Sequence, residues 1–379
     1  MLDHQAVFRY TDSMLRTLGK ILLGFFALLA ILIIVIALFI GYKTEKFKKT
    51  FEQSSGVDAH TLISRVQTGW DQTPQTTNGW KNVLLLGADE VPGRPEGQDA
   101  SSVLTDSMIV LSMNLKSGKI LQYALPRDLW VDAYKTKINA IYHYGFAQTP
   151  EDPTKFVGQV VKEITGVPMH NIVVLKLSTV AEIIDALGGL DIEVKRSFED
   201  VMFPRAGVDV ATVRDPKLLY ETVNFTQGIE HMSGKRALTY LRSRHSTDEI
   251  EGTDEGRIAR QKQVIQALMS SLLKKELITN PAKLGKLYAM YARDFEKSFS
   301  IEEGAATLRM LMESLGTSES NASNFLLVQR TISIQEKGNK GTLYHPTNLR
   351  AFGGQWVYIP VKGDFSAMQK EIQSFYEEK

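Results

Sequence analysis

The strongest pattern in the chain comes first: Ile21 to Ile40 is twenty residues without a charge. At about 1.5 Å per residue such a helix reaches roughly 30 Å, one hydrocarbon core. It is apolar on every face, unlike the one-sided helices of soluble domains, and no small-residue cleavage site follows it, as a removable signal would need. The run predicts a single uncleaved N-terminal transmembrane helix over 21–41, behind a polar arm at 1–20.

Beyond it, apolar residues come in short runs closed by glycine, proline or charge. Residues 42–79 hold few of them, and Gln72-Thr73-Pro74-Gln75-Thr76-Thr77-Asn78-Gly79 has the composition of a linker, so a stalk is expected there. The run ending Val83-Leu84-Leu85-Leu86-Gly87 predicts a buried strand. Met108–Leu115 and Ile120–Leu125 predict two more, joined by a turn at Lys116-Ser117-Gly118-Lys119. Helices are predicted over Ile138–Ala147 and Lys155–Ile164, then a strand at Asn171–Leu177, a helix at Val180–Leu187 stopped by Gly188-Gly189, and a strand at Ile192–Val194. Ser233–Leu241 reads as a helix. Arg257–Lys275 reads as a longer one, with Ile258, Ile265, Leu268, Met269 and Leu272 on its core face. Two or three helices and strand-like runs at Phe325–Val328 and Trp356–Ile359 follow.

Strands interspersed with helices predict an α/β (mixed α+β) fold, a central mixed sheet flanked by helices. The folded part is expected over 80–280. Residues 281–379 should complete it, since their strands are too few for a sheet of their own.

Composition narrows the chemistry. The net charge of +1 leaves no global basic field, so nucleic acid is not an expected partner. The absence of cysteine excludes disulfides, thiolate metal sites and cysteine nucleophiles. Arg9, Arg16 and Lys20 precede the apolar span and Lys43, Lys46, Lys48 and Lys49 follow it, so flanking charge does not decide its orientation.

Four polar pieces stand at the edges of predicted elements: Asp89; Thr105-Asp106-Ser107; Pro126-Arg127-Asp128; and a segment from Tyr240 to Gln261 with Arg242, Arg244, Arg257 and Arg260 but no lysine. Guanidinium is permanently charged and grips paired phosphate oxygens as a planar fork. Two carboxylates in neighbouring loops suit a hard cation such as Mg²⁺ or Mn²⁺, which completes its shell with water and phosphate oxygens. Together the pieces suggest metal-assisted phosphoryl transfer. Singly, each has a plainer reading: a strand-end turn aspartate, a local ion pair, or a solvated charged face ahead of a helix. Gly93 and Gly97 fit neither phosphate-loop fingerprint, and neither HExxH nor GxSxG occurs.

The ordered motifs NVLLLGAD, TDSMIVLSMN, LPRD, KINAIYHYG, GGLDIEV, LTYLRSR and DEGRIARQKQV, over roughly Asn82–Leu268, resemble the LytR-CpsA-Psr family of membrane-anchored cell-wall glycopolymer transferases. The resemblance implies a phosphotransferase that moves a glycopolymer from a polyprenyl-pyrophosphate carrier to a peptidoglycan sugar hydroxyl, leaving a phosphodiester. It also implies a cytoplasmic-membrane location with the N-terminus inside and the catalytic domain outside. Asp89 and Asp106 match the family's Mg²⁺-associated aspartates. Arg127 matches its pyrophosphate arginine, and Arg242 and Arg244 its RxR pair. Asp254, Arg257, Arg260 and Gln261 match D-x-x-R-x-x-R-Q, with Asp254 orienting and the other three at the pyrophosphate. Arg127 and Arg257 join the two aspartates as the expected catalytic set, and Asp89 is the carboxylate available to assist deprotonation. Alternative readings are a pyrophosphatase or phosphodiesterase on the same lipids, or a non-catalytic binder. The chain departs from the pattern at Leu104 and Val131, where an arginine is common, and in a longer Arg244–Asp254 loop, whose Glu249 and Glu251 read as surface charge.

Overall fold

The computed structural model describes residues 45–89, 103–205, 208, 213, 215–272, 274–316, 327–335 and 340–377. The predicted transmembrane run and its arm lie outside these residues. Among the described residues no helix is long and apolar enough to cross a membrane.

In chain order the main elements are α1 (Glu45–Ser55), α2 (Ala59–Trp70), β1 (Trp80–Asp89), β2 (Leu104–Asn114), β3 (Ile120–Ala124), α3 (Ile141–Gln148), α4 (Pro153–Thr165), β4 (Asn171–Lys176), α5 (Leu177–Leu187) and β5 (Leu190–Val194). There follow β6 (Phe198–Pro204), β7 (Tyr220–Phe225), β8 (Gly228–Met232), α6 (Gly234–Arg242), α7 (Asp254–Leu272), α8 (Pro281–Asp294), α9 (Ile301–Gly316), β9 (Leu327–Thr331) and α10 (Ser366–Glu377). They form two compact units interleaved in sequence. A sheet unit takes the described residues of Thr68–Asp89, Asp99–Leu175 and Lys297–Lys379. An arginine unit takes those of Met1–Gln67 and Lys176–Glu296.

The sheet unit is built on five strands in the order β9-β3-β2-β1-β4. β1 and β3 run antiparallel to β2, and β9 runs parallel to β3, so the sheet is mixed. β2 is buried at every residue from Met108 to Met113, which is why it reads as a continuous apolar run and not as an alternation. On one face Leu84, Leu86, Met108, Val110, Leu121 and Tyr123 join the α4 residues Phe156, Val157, Val160, Val161 and Ile164 and the α10 residues Met368, Ile372 and Phe375 in one core. Helix α4 has clear ends. Asp152 caps it by accepting the Thr154 N–H, Pro153 occupies its first turn, and Gly166 closes it at φ 73°. On the other face Lys81 is fully buried and paired with Glu303 of α9 above the Phe299 ring, and burial holds its ammonium below the usual lysine range.

The arginine unit pairs β5 with β8 and β6 with β7, both antiparallel. Its helix α8 lies against α1, close enough that a Cβ on Gly285 would stand 2.8 Å from the Phe51 carbonyl oxygen. Within the stalk expected over 42–79, the stretch from Asp71 to Gly79 is without helix, whereas residues 45–55 and 59–70 are two packed helices. Their apolar residues are few but stand on one face, with Phe47 and Phe51 of α1 and Leu62 and Val66 of α2 buried. Sparse apolar positions at helical spacing were enough to bury these helices, which composition alone does not reveal.

Candidate functional site

In the sheet unit the register of β1 against β2 slips at one place. Gly87 faces Ser107 and Ala88 faces Thr105, so Asp106 is the extra residue of a β-bulge. Bulges re-aim side chains, and this one turns a carboxylate outward beside a buried neighbour. Thr105 is buried and donates its hydroxyl to the Asn139 carbonyl at 3.1 Å. The Asn139 amide nitrogen stands 3.4 Å from Asp106 Oδ1. Asp89 ends β1 with its Cα opposite Leu104, one strand away from the bulge.

Arg127 follows β3 in the turn Pro126-Arg127-Asp128-Leu129, closed by the Leu129 N–H on the Pro126 carbonyl. Its Nη1 lies 3.3 Å from Asp106 Oδ1 and its Nε 3.5 Å from Asp128 Oδ2. Lys137 Nζ holds the other Asp128 oxygen at 2.6 Å. The Arg127 and Asp106 side chains are 56% and 44% exposed, so this contact is open to water and to ligand. Such a pair is worth about 0–1 kcal/mol and is readily exchanged for an incoming anion. Lys137 and Asn139 were not among the expected residues. Both stand in the KIN of the quoted KINAIYHYG motif, which was the available signal.

The arginine unit carries the second cluster. Helix α6 is capped by the Ser233 side chain and ends at Arg242; the chain then runs extended through Ser243 (φ −56°, ψ 131°). Ser243 is fully buried and donates its hydroxyl to the Thr239 carbonyl at 3.0 Å, Arg242 is half-buried, and Arg244 is exposed. The backbone here is held on its donor side by Asp200, itself buried, which accepts the N–H groups of Arg244 at 2.8 Å, His245 at 3.3 Å and Met202 at 3.0 Å. On its acceptor side the hand is Arg260. Its Nη2 donates to the Ser243 carbonyl and its Nε to the Tyr240 carbonyl at 3.1 Å, while Nη1 donates to the Glu251 carbonyl at 2.9 Å and to its carboxylate. The guanidinium also stacks 4.8 Å from the Phe198 ring centroid.

Two expectations change here. Arg260, placed by resemblance at a pyrophosphate, has a side chain only 1% exposed with each of its three nitrogens donating within the protein. Glu251, read as surface charge, is buried and is its partner. The long loop is a built turn. Asp248 accepts the N–H groups of Ile250 and Glu251, both at 2.9 Å, and the Arg196 guanidinium reaches its other oxygen at 3.2 Å. These bonds, the backbone ones foremost, hold the Asp248 carboxyl below the usual carboxylate range. The turn delivers Glu251 inward. Thr253 then caps α7 by accepting the Gly256 N–H at 3.0 Å, so the helix begins three residues before the predicted Arg257. A Cβ on Gly256 would stand 2.4 Å from the Ile250 carbonyl oxygen, which leaves glycine as the residue that fits. Arg257 and Gln261, one turn apart on α7, are both half-buried. Asp254 opens that helix.

Of the expected set, Asp106 and Arg127 thus touch within the sheet unit, where Asp89 also lies. Arg242, Arg244, Asp254, Arg257, Arg260 and Gln261 belong to the arginine unit. Among the described residues no group of three or more histidine, aspartate or glutamate side chains could hold a metal by itself. Mg²⁺ requires less than that, one or two carboxylates plus water and substrate oxygens, and the outward carboxylate of Asp106 fits as one such donor.

The family model described as the LytR_cpsA_psr family matches residues 41–371. A polyisoprenyl-teichoic acid–peptidoglycan teichoic acid transferase TagU of Oceanobacillus iheyensis is 25% identical over 301 residues, which cover 79% of this chain and 77% of the relative. A protein of the same name from Bacillus mycoides is 27% identical over 192 residues, 50% of this chain; the match spans about half of that relative, 51% of its length. Among solved structures, protein gbs0355 from Streptococcus agalactiae superposes with a TM-score of 0.46 at 19% identity, covering 80% of this chain and 89% of that one.

Proposed function

The chain belongs to the LytR-CpsA-Psr family, and from that premise we propose that it is a glycopolymer transferase. It takes a glycan from a polyprenyl-pyrophosphate carrier and joins it to a peptidoglycan sugar hydroxyl. The observation that carries this reading is the match over 41–371, which contains every arginine and aspartate of both clusters. The transferase named in the Oceanobacillus relative supports the reaction class. In the proposed reaction the acceptor hydroxyl oxygen bonds to the sugar-proximal phosphorus as the bridging P–O bond breaks. Polyprenyl phosphate leaves, and the hydroxyl proton passes to a carboxylate, for which Asp89 is the candidate.

Arg127, Arg242, Arg244 and Arg257 are assigned to the non-bridging oxygens, where fixed cations stabilise the charge that grows during transfer. Gln261 is assigned beside them, and Asp254 orients the arginines. Asp106 and Asp89 would hold Mg²⁺, which would neutralise charge on the pyrophosphate. The loose Arg127–Asp106 contact is consistent with both groups turning to a ligand. Arg260 is assigned a place behind the site and not at the phosphate. The uncharged run Ile21–Ile40 is proposed as a single-pass anchor in the cytoplasmic membrane, with the folded part outside.

The test is incubation of the purified chain with Mg²⁺ and polyprenyl-pyrophosphate glycans, with and without peptidoglycan. The expected products are peptidoglycan carrying the glycan through a phosphodiester, and polyprenyl phosphate. Glycan phosphate released equally without acceptor would instead identify a hydrolase. Tight lipid binding without any product would identify a binder.

A further inference from the structure

We propose that Glu251 is a positioning residue: through Arg260 it sets the backbone from which Arg242 and Arg244 project. The inference rests on the reading of those two arginines as phosphate ligands. Arg260 links Glu251 to that backbone through its hydrogen bonds. Two of its nitrogens go to the carbonyls of Tyr240 and Ser243. These belong to the last turn of α6 and the residue after it, groups that a helix end leaves without an intrahelical partner. A guanidinium is a rigid planar fork, so its orientation dictates where both carbonyls lie. That orientation is fixed from the far side, where Nη1 is held by the carboxylate and the carbonyl of Glu251.

Charge gives the second reason. A guanidinium with 1% of its side chain exposed is tolerated only when paired and fully hydrogen-bonded. Glu251 supplies the negative partner, and the Asp248 turn supplies Glu251. The chain of dependence therefore runs from the Asp248 turn to Glu251, to Arg260, to the Ser243 carbonyl, and so to the side chains on either side of Ser243. Because Ser243 is buried, fixing it fixes the backbone on either side, which carries the half-buried Arg242 and the exposed Arg244. Asp200 holds the donor side of the same stretch through the Arg244 and His245 amides. Glu251 is thus tied to two candidate phosphate ligands without itself being exposed to a phosphate.

The test uses the full chain and inorganic pyrophosphate with Mg²⁺ as the probe. Glu251→Ala leaves a buried cation unpaired and can fail to fold, so the deciding variant is the double substitution Glu251→Leu with Arg260→Met, which replaces the pair by apolar residues of similar size. It is read alongside Glu251→Gln, in which Arg260 is intact. The proposal expects a melting temperature near that of the unsubstituted chain for the double substitution and a lowered one for Glu251→Gln, and in both folded variants a pyrophosphate affinity roughly tenfold weaker. It also expects faster amide exchange confined to Arg244 and His245. In transfer assays KM should rise more than kcat falls. Affinity within roughly twofold of the unsubstituted chain in folded variants, or unchanged exchange at those two amides, overturns the proposal. If the unsubstituted chain itself ignores pyrophosphate, the functional reading of the arginines falls, while the exchange data still decide whether Glu251 sets their backbone.

Discussion

Two arginine–carboxylate pairs in this molecule have the same chemistry and opposite surroundings. Arg127 and Asp106 meet at 3.3 Å with about half of each side chain in water. Arg260 and Glu251 meet with 1% and 10% exposed. The first pair sits on a bulge and a turn, costs little to separate, and leaves both groups able to engage a ligand. The second is bonded to carbonyls and closed by the Phe198 ring, so neither group can leave without stranding the other. Motif matching treats Arg127 and Arg260 alike. Exposure separates a group that can act on a substrate from one that shapes what acts.

The sharpest way to break this contrast is truncation. Glu251→Ala should lower unfolding free energy by about 3–5 kcal/mol, because the Arg260 charge stays buried without its partner. Asp106→Ala should change it by no more than about 1 kcal/mol. Urea unfolding midpoints of the two variants check this, and equal losses would erase the distinction. Activity should show the converse at the exposed pair. Arg127→Ala should fold normally and lose transfer by about 10²–10³-fold, the usual effect of removing one fixed donor from developing charge. Transfer rates at saturating lipid substrate measure it, and near-normal turnover would remove Arg127 from the site.

A smaller effect is expected at Asp200. Its carboxylate accepts three backbone N–H groups, and Asp200→Asn turns one of the two accepting oxygens into a donor. A buried mismatch of this kind costs about 1–3 kcal/mol. Amide exchange should quicken at Arg244 and His245, which share one carboxylate oxygen, or at Met202, which uses the other. No change at any of the three would mean that the buried carboxylate does not hold this segment.

The sequence reading succeeded where burial is written in hydropathy. Val83–Gly87, Met108–Leu115, Ile120–Leu125 and Asn171–Leu177 are apolar runs because the sheet is covered on both faces, and each falls on an observed strand. It failed where burial is achieved by pairing. Glu251 in its loop and Arg260 on its helix look like any acid and base of a charged segment, since a buried ion pair leaves no apolar trace. Helices α1 and α2 were hidden in a polar stretch for a related reason: a few apolar residues on one face suffice when a partner covers them, as α8 covers α1. The Asp106 bulge was illegible because an extra residue in a strand is defined by the register of its neighbour. The pairing β6–β7 escaped because alternate burial over Phe198–Pro204 is short and broken by its own register shift.

The two units should also answer acid with opposite signs, through one histidine each. In the sheet unit, burial and the nearby Lys81 charge lower the pKa of His170 below its ordinary 6.5. The unfolded chain then binds the proton more readily, so the His170 contribution is complete above about pH 6.5 and is lost as pH falls. In the arginine unit, the hydrogen bonds of His231 to Asp191 at 2.7 Å and to the Gly188 carbonyl at 2.9 Å raise its pKa above 6.5. Here the folded state holds the proton more tightly. That contribution is complete below about pH 6.5 and is lost as pH rises through the raised folded value. Comparing urea midpoints of His170→Gln and His231→Gln with the unsubstituted chain at pH 5 and pH 9 isolates each term. His170→Gln should cost more at pH 9 than at pH 5, and His231→Gln more at pH 5 than at pH 9. The second effect should be the smaller and should shrink with added salt, because that pair is exposed to solvent. Shifts of the same sign for both variants would contradict the assigned environments.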